Sequence, residues 1–262
     1  MSVLFLDQSP VHYESLGRGR PVVFLHSWVG SWRYWVPSMQ LASASHSAYA
    51  LDLFGFGDTA HDPLQYSLER QAVLVERFLE EMGIGRVALV GHGLGALIGL
   101  SFASRNLPHV ARLMLVAMPI DPVSVDHRLL SSGPRALQDL VSGRSPRVAD
   151  LLPDSSSIDP RALEVAIDAA AIDAALAALR EAGTPCLFVY GANDPVLSVP
   201  SAEHTMAFGS NVHQVVLPDA GHFPMFEAAD AFNRLLIEFL VMESGASLRG
   251  LVPKEEWRRR VR

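Results

Sequence analysis

The chain has 262 residues, 49% of them hydrophobic and 19% charged, which supports a large buried core and excludes wholesale disorder. Its formal net charge of −7 argues against nucleic acid as a partner, because phosphate contacts need a basic face. The single cysteine, Cys186, excludes an intramolecular disulfide, and the lack of a signal-like start or a long apolar run predicts a soluble cytoplasmic protein without a membrane partner.

Apolar runs and helical periodicities alternate along the chain. The runs Val22–Leu25 and Ala48–Leu53 predict strands buried on both faces. Ser67 is a candidate N-cap for a helix that Gly83 would end. The other predicted strands are Val3–Leu6, Val11–Leu16, Arg86–Val90, Arg112–Ala117, Cys186–Tyr190 and Val212–Leu217, and the other helices are Leu94–Ser104, Ala162–Ala182 and Ala229–Met242. This alternation predicts a parallel sheet with helices on both faces.

The pattern loosens in residues 119–160, where Pro, Ser, Asp and Arg dominate. We interpret this segment as a lid inserted into a core made of residues 1–118 and 161–262. The tail from Pro253 to Arg262 is a candidate for a short basic helix, which we interpret as a docked or frayed terminal helix.

Five short motifs follow predicted strands. They are His26-Ser27-Trp28, Asp52–Gly57, Gly91-His92-Gly93-Leu94-Gly95, Gly191–Pro195 and Gly221–Pro224. The strand–turn–helix context, with an acid and then a histidine in that order, resembles the α/β-hydrolase superfamily over nearly the whole chain. The resemblance implies a mostly parallel eight-stranded sheet with helices on both faces and a small helical lid.

One position departs from the family pattern. The family's nucleophile elbow reads Gly-x-Ser-x-Gly, whereas the central residue here is Gly93, so no acyl-enzyme can form through this position. By resemblance, Asp194 accepts a hydrogen bond from His222 and orients its ring as a base. The resemblance also implies that the backbone N–H groups of Trp28 and Leu94 form an oxyanion hole.

Several further side chains are candidates for the site. Ser27 replaces the usual glycine beside the oxyanion hole and could bond a substrate oxygen, although we prefer a turn serine bonded to its own backbone. Asp121 is an alternative position for the acid. The aromatic residues 28, 32, 34 and 35 either line the mouth of a pocket or pack against the lid. The predicted substrate-binding residues are Ser27, His92, Trp32, Met118 and Phe223, although His92 could equally be a packed histidine that supports the sheet.

These residues leave three functions open. The first is acid–base catalysis on a small apolar molecule by His222 and Asp194 without a covalent intermediate, as hydrolysis by activated water or as lyase or cyclase chemistry. The second is an inactive protein that binds a small ligand, and the third is a serine esterase that carries an engineered change at Gly93. We expect a Gly93→Ser variant to gain esterase activity. We predict no cofactor and no metal, because the histidines lack metal-ligand spacing, and the oligomeric state stays open.

Overall fold

The structure is a computed structural model that describes residues 2–6, 8–142, 146–150, 152–243 and 245–252. The predicted basic helix in residues 253–262 lies outside the described residues. The described part of the chain forms one sheet whose eight strands are β1 (Ser2–Leu6), β2 (Ser9–Leu16), β3 (Arg20–Leu25), β4 (His46–Leu51), β5 (Val87–His92), β6 (Val110–Val116), β7 (Cys186–Gly191) and β8 (Val212–Leu217).

The strand order explains where the candidate site lies. Across the sheet the order is β1-β2-β4-β3-β5-β6-β7-β8. The pairings β1–β2 and β2–β4 are antiparallel, and the other five are parallel. The carboxyl ends of the parallel strands therefore share one edge, which is where α/β proteins place their ligands. The mostly parallel eight-stranded sheet predicted from the sequence is confirmed.

Helices cover the sheet in two groups. The helices in the described residues are α1 (Val36–Ala42), α2 (Leu68–Glu81), α3 (Leu94–Arg105), α4 (His127–Ser131), α5 (Pro134–Ser142), α6 (Pro146–Ala149), α7 (Ala169–Glu181), α8 (Ala202–Ala207), α9 (Pro224–Glu227) and α10 (Ala229–Val241). Helix α3 packs on β3, β5 and β6 and against α2 and α7, whereas α1 packs on β4 and against α10. None of the helices that the structure describes combines the length and apolar character needed to cross a bilayer.

Side-chain caps set where two of the predicted helices begin. Ser67 caps α2 as predicted, since its hydroxyl accepts a hydrogen bond from the Arg70 N–H at 3.3 Å. The helix predicted from Ala162 begins only at Ala169. The carboxylate of Asp168 accepts the N–H groups of the second and third helical residues at 3.0 and 3.2 Å, and this cap fixes the start of α7.

The segment 119–160, predicted as a lid, contains α4, α5 and α6 among its described residues. Two isolated β-bridges join it to other loops: Phe56–Ile158 and Val125–Leu197. At its end, Asp159 accepts a hydrogen bond from the Tyr66 hydroxyl at 2.8 Å and pairs with Arg161 at 2.7 Å. The hydrogen bond from Arg161 holds the pKa of the Asp159 carboxyl well below its usual range. The function of this segment as a lid stays a prediction.

Candidate active site

The elbow between β5 and α3 has Gly93 at its centre. Its φ of 51° and ψ of −110° lie in a region that side chains rarely adopt, and its N–H donates to the Val116 carbonyl at 2.9 Å. A Cβ at this position would lie 2.1 Å from the Ser27 hydroxyl oxygen and 2.9 Å from a ring carbon of Trp28. Both the backbone conformation and the surrounding space therefore favour glycine here.

The structure brings Asp194 and His222 together at the ends of neighbouring strands. Asp194 follows β7, His222 follows β8, and the Asp194 Oδ2 to His222 Nδ1 distance is 2.8 Å. The other carboxylate oxygen, Oδ1, accepts the N–H groups of Val196 and Leu197 at 2.9 and 3.0 Å. Because Nδ1 donates to a carboxylate, the lone pair of the neutral ring is on Nε2, the tautomer that a general base requires.

The loop that carries His222 is held by Glu227, at the end of α9. One oxygen of the Glu227 carboxylate, Oε2, accepts the N–H groups of Gly221 and Phe223 at 2.8 and 3.0 Å. These two residues flank His222, so the carboxylate fixes the backbone on both sides of the imidazole. Glu227 is not among the residues predicted from the sequence. Glu227 is the fourth residue of α9 and bonds the N–H of the N-cap Phe223, whereas a capping box uses the third residue and a Ser or Thr cap, so the sequence carries no capping-box signature here.

A chain of hydrogen bonds links the backbone of Ser27 to the backbone of His222. A carbonyl only accepts, so the 2.8 Å contact between His92 Nε2 and the His222 carbonyl places the proton on Nε2. His92 Nδ1 therefore accepts from the Tyr34 hydroxyl at 3.0 Å, and the Tyr34 oxygen accepts the Ser27 N–H at 2.7 Å. Burial, and next the nearby His222, hold the pKa of His92 well below its usual value, which keeps the ring neutral.

This chain of hydrogen bonds shows what two of the predicted candidates, His92 and Tyr34, do in the structure. Both ring nitrogens of His92 are occupied by protein partners, so the ring positions two loops in this structure. Tyr34 is fully buried, and its hydroxyl bonds to His92, which lies 58 positions further along the chain. Nothing in the sequence indicates that role, because an aromatic residue in a cluster carries no signal for a distant hydrogen-bond partner.

The side of the site that faces Gly93 contains polar groups without partners. The Ser27 hydroxyl and the Trp28 indole N–H are buried and make no hydrogen bond with the described residues. Within the same described ranges, the backbone N–H groups of Trp28 and Leu94 also have no acceptor. The preferred interpretation of Ser27 as a turn serine bonded to its own backbone is therefore wrong. Its hydroxyl points into the space beside the elbow instead.

The candidate site is closed to solvent. Each of Ser27, Trp28, Leu94, Met118 and His222 is 1% exposed. Phe223 is also buried, with its ring centroid 5.3 Å from that of His222. A cavity of about 390 Å³ lies between α2, α3 and α7, and none of its lining residues belongs to this site.

Trp32 and the alternative acid lie in other surroundings. The Trp32 N–H donates to Asp52 at 2.8 Å, and its ring contacts His12 at a centroid distance of 5.6 Å. Asp121 accepts the Ser124 N–H at 2.6 Å as the cap of a short turn, whereas Asp194 is the acid bonded to His222.

One group of potential metal ligands occurs among the described residues. Ligand atoms of His12, Asp52 and Asp58 lie within 4.8 Å of one another. The Asp52 oxygens already accept the N–H groups of Trp32 and Asp58, and burial raises the pKa of its carboxyl to about 7. We interpret Asp52 as a brace for its loop. The absence of a metal stays a prediction.

Known proteins resemble this chain over most of its length. The chain is 30% identical over 263 residues to a putative carbamate hydrolase (RutD) of Variovorax paradoxus, covering 90% of this chain and 97% of that protein. It is 24% identical over 241 residues to a dihydrolipoyllysine-residue acetyltransferase component of an acetoin cleaving system of Pseudomonas putida. That match covers 85% of this chain and 64% of the relative, which is less than two thirds of the relative's length.

Structural similarity and a family model agree with the fold. The crystal structure of an enol-lactonase from Burkholderia xenovorans LB400 superimposes with a TM-score of 0.77 at 20% identity, covering 92% of this chain and 100% of the lactonase chain. A model of the alpha/beta hydrolase family matches residues 22–235. Since this match spans most of the chain, the protein belongs to the alpha/beta hydrolase family.

Proposed function

We propose that this protein is an enzyme that acts on a small apolar carbonyl compound by acid–base catalysis, without an acyl-enzyme at the elbow. The observation that carries the proposal is the buried 2.8 Å hydrogen bond between Asp194 and His222, whose ring centroid lies 4.8 Å from that of His92, the residue before the side-chain-free centre of the elbow. An oriented imidazole supplies a base, while Gly93 offers no nucleophile for it to activate.

In this mechanism His222 Nε2 removes a proton from a bound water or from an acidic group of the substrate. For hydrolysis, the water oxygen bonds to the carbonyl carbon, and the electron pair of the carbonyl moves onto its oxygen. The N–H groups of Trp28 and Leu94 have no acceptor among the described residues, and in this proposal they bind that oxyanion. The electron pair then returns from the oxyanion to re-form the carbonyl, the bond between its carbon and the leaving group breaks, and His222 gives its proton to that group. The Asp194 carboxylate stabilises the transient imidazolium.

The surroundings of the dyad favour an apolar substrate. Trp28 lies beside the elbow and Phe223 lies beside His222, and both are buried, as is Met118. We propose that these three side chains form the walls of the substrate site. Similar proteins include the putative carbamate hydrolase and the enol-lactonase named above. Esters, lactones and carbamates are therefore the first compounds to test. The mechanism uses protein groups only, so we propose no cofactor.

The test compares the protein with His222→Ala on a panel of short-chain p-nitrophenyl esters, lactones and aryl carbamates. A general base contributes about 10²–10⁴-fold, so we expect the variant to lose activity by that factor. His127→Ala is the matched control, because that imidazole is 86% exposed and its ring pairs with Asp126 at the surface. Equal rates for the protein and His222→Ala would reject the enzyme and leave a ligand-binding protein as the remaining function.

A further inference from the structure

Ser27 and Gly93 face each other across the candidate site. By resemblance to the family, a glycine is expected at Ser27 and a serine at Gly93. The structure shows that these two positions face each other, because a Cβ on Gly93 would lie 2.1 Å from the Ser27 hydroxyl oxygen. A serine hydroxyl is one bond from its Cβ, so a serine at 93 and the serine at 27 would compete for the same space.

The backbone of Ser27 is fixed while its hydroxyl is unpartnered. Its N–H donates to the Tyr34 hydroxyl at 2.7 Å, and its carbonyl accepts from His26 Nδ1 at 2.8 Å and from the Gly30 N–H at 3.0 Å. The hydroxyl, in a residue that is 1% exposed, has no partner among the described residues. Buried hydroxyls are nearly always hydrogen-bonded, so this one is expected to meet a ligand atom or a water.

We propose that the Ser27 hydroxyl occupies the space of the missing side chain at Gly93 and there binds the water molecule that His222 deprotonates. This inference rests on the proposed function and names the group that holds the nucleophile. The water oxygen bonds to the carbonyl carbon, its proton goes to His222 Nε2, and no bond to Ser27 forms or breaks. Because the backbone of Ser27 is fixed, its hydroxyl can move mainly by changing the side-chain rotamer. This restriction favours one position for the bound water.

The first part of the test measures whether the two residues share one space. Thermal unfolding is compared for the protein, Ser27→Gly, Gly93→Ala and the double variant. We expect Gly93→Ala to lower the Tm by at least roughly 2–4 °C more when Ser27 is present than when residue 27 is glycine. If Gly93→Ala fails to fold while the double variant folds, that result also shows that the two residues share one space. Additive Tm shifts would show that the two side chains do not share one space, which would overturn the proposal.

The second part measures the bond to water. Ser27→Ala removes the hydroxyl and keeps the Cβ, and Ser38→Ala is the matched control because its buried hydroxyl already donates to Asn233 at 3.1 Å. Loss of one hydrogen bond to the reacting oxygen is expected to lower the His222-dependent kcat by about 10–100-fold, with KM nearly unchanged. An unchanged kcat in Ser27→Ala would overturn the proposal.

A binding probe keeps this test independent of the proposed function. In water, 1,1,1-trifluorobutan-2-one forms a hydrate with two hydroxyl groups, of which one can face the oxyanion hole and the other Ser27. Calorimetry should show Kd rising about tenfold in Ser27→Ala and staying the same in Ser38→Ala. Equal Kd values for the protein and Ser27→Ala would overturn the proposal even if the protein proved inactive on every ester.

Fluorophosphonate labelling tests the rival role for the same hydroxyl. If Ser27 only holds water, the reagent leaves it unmodified, and peptide mass spectrometry finds no adduct. Stoichiometric labelling of Ser27 that disappears in His222→Ala would show that this serine is itself the nucleophile. That result would overturn the water-binding role, while a His222-dependent rate would still support the dyad.

Discussion

The two sides of the candidate site differ in how completely their polar groups are satisfied. We call one side the braced half and the other the open half. In the braced half the polar groups described above have protein partners, apart from the His222 Nε2 lone pair, and its members are Tyr34, His92, Asp194, His222 and Glu227. In the open half the hydroxyl, the indole N–H and two backbone N–H groups have none among the described residues, and its members are Ser27, Trp28, Gly93 and Leu94.

This difference separates positioning from binding. Fully bonded groups hold one geometry, because breaking any bond leaves a buried polar atom unpaired at a cost of about 1–3 kcal/mol. Unpaired buried donors carry that cost already and recover it when an acceptor arrives. We therefore infer that the braced half orients the imidazole of His222, and we propose that the open half binds an oxygen-bearing ligand.

The largest effect is expected in the braced half, from Asp194→Asn. The amide can no longer hold the His222 ring in the tautomer with a free Nε2, so kcat on the ester panel should fall by about 10²–10⁴-fold. Asp121→Asn is the control, because Asp121 caps a turn and is not bonded to His222. Equal losses from the two substitutions would contradict this assignment of the acid.

Deleting one hydroxyl from each half should change the free energy of unfolding by different amounts. Tyr34→Phe leaves both the Ser27 N–H and His92 Nδ1 without a hydrogen-bond partner, and we expect it to lower the free energy of unfolding by about 1–3 kcal/mol. Ser27→Ala deletes an unpaired hydroxyl, so the free energy of unfolding should stay the same or rise by up to about 1 kcal/mol. Urea unfolding of both variants measures the difference. Similar losses in the two variants would remove the distinction between the halves.

The smallest expected effect is a pH dependence confined to the braced half. Burial keeps the pKa of His92 below 6.5, so the folded protein binds fewer protons there than the unfolded chain does. The folded protein therefore keeps its full stability with respect to His92 above pH 6.5, and it loses stability as the pH falls below that value. The gap in unfolding free energy between the protein and His92→Gln should narrow by up to about 1.4 kcal/mol per pH unit below 6.5. A gap that stays constant from pH 7 to 5 would contradict a neutral, buried His92.

Local patterns were sufficient to predict the sheet, whereas the dyad was implied by the resemblance to the α/β-hydrolase family. Continuous apolar runs mark strands buried on both faces, and all six residues of β5 and of β7 are buried. Turn motifs directly after such strands fall at one edge of a parallel sheet, and it was the family resemblance that paired Asp194 with His222 among them. The start of α7 was harder to predict, because residues 162–168 have helical composition and only the cap at Asp168 decides the boundary.

Contacts between distant loops could not be predicted from the sequence. The approach of Ser27 to Gly93 and the bond between Tyr34 and His92 depend on how two loops meet across the site. Each residue alone has an ordinary interpretation as a turn serine, an elbow glycine or a packed aromatic. The contact also changes the expectation for Gly93→Ser, because a Cβ at 93 meets Ser27 and Trp28. We therefore expect esterase activity to appear in the double variant Ser27→Gly/Gly93→Ser rather than in Gly93→Ser alone.

The near-complete burial of the dyad and the open half has a kinetic consequence. In the proposed enzyme, a substrate could not reach His222 by diffusing into the closed conformation, so each turnover would wait for a conformational opening that admits it. When that motion is slower than bond cleavage, compounds of very different intrinsic reactivity turn over at similar rates. Those rates then depend on solvent viscosity more than on the leaving group.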